Sequence, residues 1–103
     1  MTTSNLTPAQ NLHNETVAAL RTAAAKGGFA LSFVNQTGPG NYTMRMAKAD
    51  ATVEVELKTT ETRAIANASL HTPCDLPTYK GNVREVVTLR EALRVLRTGQ
   101  VAA

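Results

Sequence analysis

The side chains best suited to chemistry lie between residues 69 and 81, in the stretch SLHTPCDLPTYKG. His71, Cys74 and Asp75 could serve a cysteine nucleophile or ligate a metal ion. A nucleophile needs a base and a group that orients that base, and the only other histidine is His13 on a different predicted element. The spacing also lacks the paired cysteines or histidines typical of zinc sites. Since two prolines interrupt the stretch, we interpret it as a surface loop without a metal or a catalytic group.

Other groups that could do chemistry are better explained by structure. Gly38–Gly40 is not followed by the Lys-Ser/Thr pair of a phosphate loop, and a strand pattern follows it, so it predicts a hairpin turn. Glu54 and Glu56 share the polar side of one predicted strand, which is typical of a solvated face. His13 lies at the edge of the first helix's apolar side and is expected to be half-buried. We therefore expect no catalytic, cofactor-binding or metal-binding residues, and a protein that is not an enzyme.

A stripe of arginines marks the last predicted helix. Three arginines recur at spacings i, i+4 and i+7 beside a leucine stripe, and we place Glu91 on the far side of the helix. The guanidinium group is a planar fork of donors that suits phosphate or carboxylate groups. The predicted contact residues are Arg90, Arg94 and Arg97, supported by Lys80 and Arg84. This pattern favours a small binding module whose partner is nucleic acid or an acidic protein surface.

The distribution of charge agrees with that hypothesis. The formal net charge of the chain is +3. Residues 1–75 contain six Lys or Arg and six Asp or Glu, whereas residues 76–103 contain five and two. All of the excess positive charge is therefore in the last quarter of the sequence.

A second class of function fits the sequence equally well. A domain of this size without a catalytic motif could be a protein-interaction module, acting as a homodimer or as a small inhibitor or regulator of a larger complex. Its contact surface would then be apolar side chains or a free sheet edge. A test for nucleic-acid binding and a measurement of the oligomeric state would separate the two.

Both predicted helices have clear boundaries. Thr7-Pro8-Ala9-Gln10 is a capping box with proline at the first helical position, and Gly27-Gly28 ends the helix. Leu12, Val17 and Leu20 fall on the side of this helix predicted to be buried. At the other end of the chain, Thr88-Leu89-Arg90-Glu91 is a second capping box, followed by a leucine stripe up to Gly99.

Alternating apolar and polar residues between the helices predict an antiparallel meander. The strand patterns lie at 29–34, 42–47, 52–58 and 83–87, with Met44 and Met46 on the core side. Residues 60–70 fit either an Ala-rich helix or a strand with Ala64, Ala66, Ala68 and Leu70 on one face. The expected fold is α+β, with an antiparallel sheet of three to five strands and the N-terminal and C-terminal helices packed on one face.

Length and composition place this fold in a single domain. The chain has 103 residues, 43% of them hydrophobic, and one cysteine, which cannot close an intrachain disulfide. We expect a soluble cytoplasmic protein with a flexible tail at 1–6, one domain at 7–99 and a frayed tail at 100–103. We expect no contact with a membrane and no small-molecule substrate.

The order of a helix, three antiparallel strands and an Ala-rich segment at 60–70 resembles that of double-stranded-RNA-binding domains. Gly38-Pro39 in the first hairpin is similar to the glycine-proline pair of that family. That family opens its second helix with a run of lysines, whereas residues 59–63 here are TTETR. The similarity is confined to a generic order of elements, so we assign the chain to no family.

Overall fold

The computed structural model describes residues 7–38, 40–49 and 51–99, and the predicted tails at 1–6 and 100–103 lie outside the described residues. Along the chain, the five strands lie between the two helices. In order, the elements are α1 (Pro8–Gly27), β1 (Ala30–Gly38), β2 (Asn41–Lys48), β3 (Ala51–Thr59), β4 (Ala64–Leu76), β5 (Tyr79–Val87) and α2 (Leu89–Thr98).

The five strands form one antiparallel sheet in the order β1-β2-β3-β4-β5. Each strand therefore pairs with its neighbour in sequence, as expected for a meander. The ambiguous segment at 60–70 is part of β4, which pairs with β3 from Thr59 opposite Ala64 to Thr52 opposite His71. Pairing with a strand that is already half-buried decides the conformation, because it satisfies the backbone groups of an alanine-rich segment that has no strong preference alone. The second helix of a double-stranded-RNA-binding domain is accordingly missing from this segment.

Both helices pack on the same face of the sheet, so the predicted α+β architecture is confirmed. Leu20 from α1 and Val95 and Leu96 from α2 contact the apolar face of the sheet, where Met44 and Met46 are fully buried. The predicted position of the two methionines in the core is therefore correct. Phe29, which follows α1, is buried as well. Leu12 on α1 is 53% exposed, so the apolar side of this helix is narrower than its sequence pattern predicts.

The predicted helix boundaries agree with the structure, but only one of the two predicted capping boxes is complete. Thr7 accepts a hydrogen bond from the backbone N–H of Gln10, and the Gln10 side chain accepts one from Thr7, which completes the capping box of α1. Thr88 likewise accepts from the N–H of Glu91 at the start of α2. The Glu91 carboxylate does not complete a second box, because it binds Arg94 instead.

Residues 69–81 are strands and not the predicted loop. β4 pairs with β5 from Ala68 opposite Val87 to Leu76 opposite Tyr79, and Pro77 and Thr78 form the turn. Since β3 pairs with β4 only as far as His71, the end of this hairpin projects beyond the rest of the sheet as a two-stranded arm. Pro73 is tolerated there because it has a neighbouring strand on one side only. The two prolines therefore mark an edge, and they do not mark the end of the strand.

Candidate functional site

The arginine stripe of α2 is only partly free to bind a partner. Arg90 and Arg97 are exposed, whereas Arg94 donates from Nε to Glu91 Oε1 at 2.8 Å and from Nη2 to Glu91 Oε2 at 2.5 Å. These hydrogen bonds lower the pKa of Glu91 and raise the pKa of Arg94. The placement of Glu91 on the far side of the helix is wrong, because the i, i+3 spacing brings it to Arg94. The accessible cations of the stripe are thus Arg90 and Arg97.

The two supporting residues are not brought to that stripe. Side chains alternate between the two faces of a strand, and Val87 packs against the core on the helix side. Val86 and Arg84 therefore project from the opposite, open face of the sheet, where Arg84 lines a groove with Glu54 and Glu56. The Lys80 side chain lies outside the described residues. Arg84 consequently cannot extend a contact surface that is centred on α2.

The excess charge of the chain nevertheless lies on the helix side. We define the helix layer as α1 and α2 together. It contains five cationic residues and two anionic ones, a net charge of +3 that equals the net charge of the whole chain. The remaining residues hold six Lys or Arg and six Asp or Glu. The cations of the helix layer are Arg21, Lys26, Arg90, Arg94 and Arg97.

The two helices run parallel, and this orientation groups some of their cations. Gly27 at the end of α1 lies against Leu96 near the end of α2, while the starts of both helices line a common cavity. Lys26 and Arg97 occupy the last turns of their helices, where a positive charge interacts favourably with the helix dipole. Lys48 reaches the same end from β2: its Nζ is 5.3 Å from the Phe29 ring centroid, and a Cβ on Gly99 would lie 2.8 Å from it. Sequence analysis missed Lys48, because only the fold brings it to the helix ends.

The open face of the sheet carries mixed charges. We define it by the side chains that alternate away from the helices, among them Arg45, Glu54, His71 and Arg84. A cross-strand ion pair lies on this face, with Arg45 Nε donating to Glu54 Oε2 at 2.8 Å. His71 Nε2 lies 3.6 Å from Glu54 Oε1 and 3.2 Å from Ser69 Oγ. Among the residues of this face whose side chains the structure describes, neither sign of charge is in an excess comparable to that of the helix layer.

Ser69, His71 and Glu54 include the residue types of a hydrolytic triad, but not its geometry. In a triad, one ring nitrogen accepts the nucleophile's proton while the other donates to the carboxylate. Here both neighbours lie beside the same nitrogen, Nε2, and Ser69 is 6% exposed. The arrangement cannot relay a proton in this geometry. The side chains of Cys74 and Asp75 lie outside the described residues.

His13 links three elements and is half-buried, as expected from its position on α1. Its Nδ1 lies 2.7 Å from Thr59 Oγ1 on β3, and its Nε2 lies 2.8 Å from Tyr42 Oη on β2. The Tyr42 ring also packs edge-on against His13 and against Phe33. In a neutral imidazole one nitrogen donates and the other accepts, so both hydroxyl groups can be satisfied. His13 therefore has a structural role in holding α1 on the sheet.

Burial lowers the pKa of His13, so acid should destabilise the fold through this residue. The unfolded chain takes up the proton near pH 6.5 and the folded chain only at lower pH. Neutral His13 thus makes its full contribution to the free energy of unfolding above about pH 6.5, and this contribution is lost as the pH falls through the pKa of His13 in the folded chain. Urea unfolding of the wild type between pH 8 and pH 5 should show this loss, and His13→Gln, which cannot titrate, should show a flatter profile. Identical slopes for the two proteins would refute the assignment.

The described residues contain neither a metal-binding cluster nor a membrane-spanning helix. Within residues 7–38, 40–49 and 51–99, no group of three His, Cys, Asp or Glu side chains could hold a metal ion. No helix in this part of the chain is long and apolar enough to cross a membrane. Comparison with protein-family models, with curated proteins and with solved structures found no match.

Proposed function

We propose that the protein is a small, non-catalytic binding module of the cytoplasm that contacts a polyanionic partner through its helix layer. The observation that supports this most is the location of the net charge, since the helices carry all of it and the rest of the chain is balanced. A surface of one sign attracts phosphate-bearing or carboxylate-bearing partners and raises their rate of association. The partner is nucleic acid or an acidic protein surface.

The contacts of each arginine of α2 indicate how much it contributes to binding the partner. Arg90 and Arg97 are exposed and can orient towards a phosphate or a carboxylate. Arg94 is held by both oxygens of Glu91, so it must give up that pair before it binds another anion. We therefore assign the main contacts to Arg90 and Arg97 and a smaller one to Arg94. Lys26, in the last turn of α1, and Lys48, beside Gly99, lie at the same end of the two helices as Arg97.

The decisive experiment compares variants of equal charge. Arg90→Ala/Arg97→Ala should weaken binding to fluorescent DNA or RNA oligonucleotides at low salt by at least about tenfold. Among single variants, Arg94→Ala should cost less than Arg90→Ala or Arg97→Ala. The slope of log affinity against log salt should fall by about one for each phosphate contact removed. Lys58→Ala/Arg63→Ala is the matched control, since it removes two exposed cations outside the helix layer.

The alternative partners are distinguished in the same assay. Poly-L-glutamate serves as the acidic polypeptide, and duplex and single-stranded oligonucleotides serve as the nucleic acids. Binding to only one of these polymers identifies the chemical class of the partner. If none binds wild type at low salt, or if both double variants weaken binding equally, the helix layer is not the contact surface. The protein is kept reduced throughout because its one cysteine could otherwise form intermolecular disulfides.

A further inference from the structure

The two edge strands of the sheet differ in their regularity. β1 pairs with β2 irregularly between Val34 and Gly38, where Asn35 has a φ of 53°. Such bulges are a common way to prevent an edge strand from pairing with another chain. β5 pairs with β4 without interruption from Tyr79 to Val87. Of the two edges, β5 is therefore the one suited to accept a further strand.

The side chains of β5 also favour contact with another strand. Val83 is 46% exposed on the helix side, and Val86 is 72% exposed on the open face. Valine is among the residues that most favour strands, and a chain gains little from exposing it on both sides of an edge. No proline or lysine interrupts the stretch from Val83 to Val87, although these residues commonly protect edges. The edge is regular and partly apolar along this stretch, which holds two charged residues, Arg84 and Glu85.

The sequence of β5 is complementary to itself in one antiparallel register. When Val83 is opposite its own copy, all nine residues of the strand overlap, from Tyr79 opposite Val87 onwards. In that register Arg84 is opposite Asn82 and Glu85 is opposite Gly81, so no like charges are paired. A register centred on Glu85 places Glu85 opposite itself, and one centred on Arg84 places Arg84 opposite itself. Like charges that are directly opposite destabilise a strand pair.

We propose that a second copy of this chain binds along β5 in antiparallel orientation, with Val83 on the twofold axis. The two five-stranded sheets then join into one, because the outer sides of the two β5 strands pair with each other. The interface is isologous, so it closes as a dimer and does not propagate into a filament. The projecting arm of each copy lies beside the partner's β5 and shields Val83 from water.

The dimer places both helix layers on one side of the joined sheet. Residues that are opposite in antiparallel strands point to the same face, so the α2 helices of the two copies share a surface. Each helix layer carries a net charge of +3, and the dimer presents two of them to one partner. The pairing of β5 does not depend on the polyanion proposal. Either can fail while the other holds.

The first test measures mass in solution. Sedimentation velocity of wild type should show a species of twice the 11.0 kDa chain mass, and Val83→Lys should shift it to the monomer. The lysines of two such chains would be directly opposite on the twofold axis. Leu12→Lys adds the same charge at an exposed leucine on α1 and should leave the dimer intact. A wild type that remains monomeric up to several hundred micromolar would overturn the proposal.

The second test measures the register and does not depend on how well the lysine variant folds. In a Cys74→Ser background, Val83→Cys should give a disulfide-linked dimer under mild oxidation. Glu85→Cys should not, because the two copies of position 85 would be four residues apart along the strand, about 13 Å. A disulfide needs Cα atoms within roughly 7 Å of each other. Equal yields of linked dimer at the two positions would refute the proposed register.

Discussion

Replacing Gly27 with alanine is expected to lower the free energy of unfolding by about 3 kcal/mol. Gly27 is the last residue of α1 and lies against α2, where a Cβ would be 1.6 Å from the carbonyl oxygen of Leu96 and 3.2 Å from Phe29 Cδ1. The obstructing atom belongs to the backbone of a packed helix and cannot rotate away. Accommodating the methyl group therefore requires the two helices to separate over a close-packed core.

The sign of this effect distinguishes packing from helix propensity. Alanine is favoured over glycine inside a helix by about 1 kcal/mol, so propensity alone predicts that Gly27→Ala stabilises the protein. Gly38→Ala is the matched control, because the nearest atom to its Cβ would be 3.9 Å away, at ordinary contact distance. Urea unfolding followed by circular dichroism should show a loss for the first variant and a change within about 1 kcal/mol for the second. A more stable Gly27→Ala protein would mean that the helices do not approach at this point.

This glycine also shows the limit of what the sequence reveals. The pair Gly27-Gly28 predicts the end of α1, and Gly28 does take the left-handed cap, with a φ of 78°. That function explains only one of the two glycines. Glycine is required at position 27 because α2, about 70 residues away in the chain, packs directly against it. Such a contact between distant segments cannot be predicted from the neighbouring residues.

The helices and the first three strands were predictable because each is specified by neighbours in sequence. Caps define the helix ends, and strict alternation defines β1, β2 and β3. The conformation of residues 60–70 was not predictable from the sequence, because their alanines fit both a helix and a strand. Pairing with β3 makes them a strand. The arm at 72–83 was missed because prolines in an edge hairpin have the same composition as a loop. In each failure the missing information is a non-local contact.

The candidate site was predictable to a similar extent. The arginine spacing in α2 is correct, and the exposed positions of Arg90 and Arg97 follow from the leucine stripe beside them. The ion pair of Glu91 with Arg94 could have been found as well, since i, i+3 neighbours meet on a helix. The face on which Arg84 lies also follows from alternation in β5. Only the position of Lys48 at the helix ends requires the tertiary structure.

The core should show a comparably large effect at Leu20. This side chain is fully buried between α1 and the sheet, so Leu20→Ala removes its burial and leaves a cavity beneath the helix. Buried leucines truncated in this way cost about 3 kcal/mol in well-packed proteins, with wide variation between sites. That is a large share of the total stability of a small domain. Chemical unfolding of the variant should show a lower midpoint with an unchanged denaturant dependence.

Leu12→Ala on the same helix is the control for Leu20→Ala. The two substitutions remove the same atoms and have the same effect on helix propensity, but Leu12 is 53% exposed at the edge of the cavity beside His13. Its truncation should cost less than about 1 kcal/mol. The sequence pattern alone places both leucines on the buried side of α1 and predicts similar losses. Equal destabilisation would therefore support the sequence pattern over the observed packing, with α1 rotated or shifted on the sheet so that both side chains reach the core.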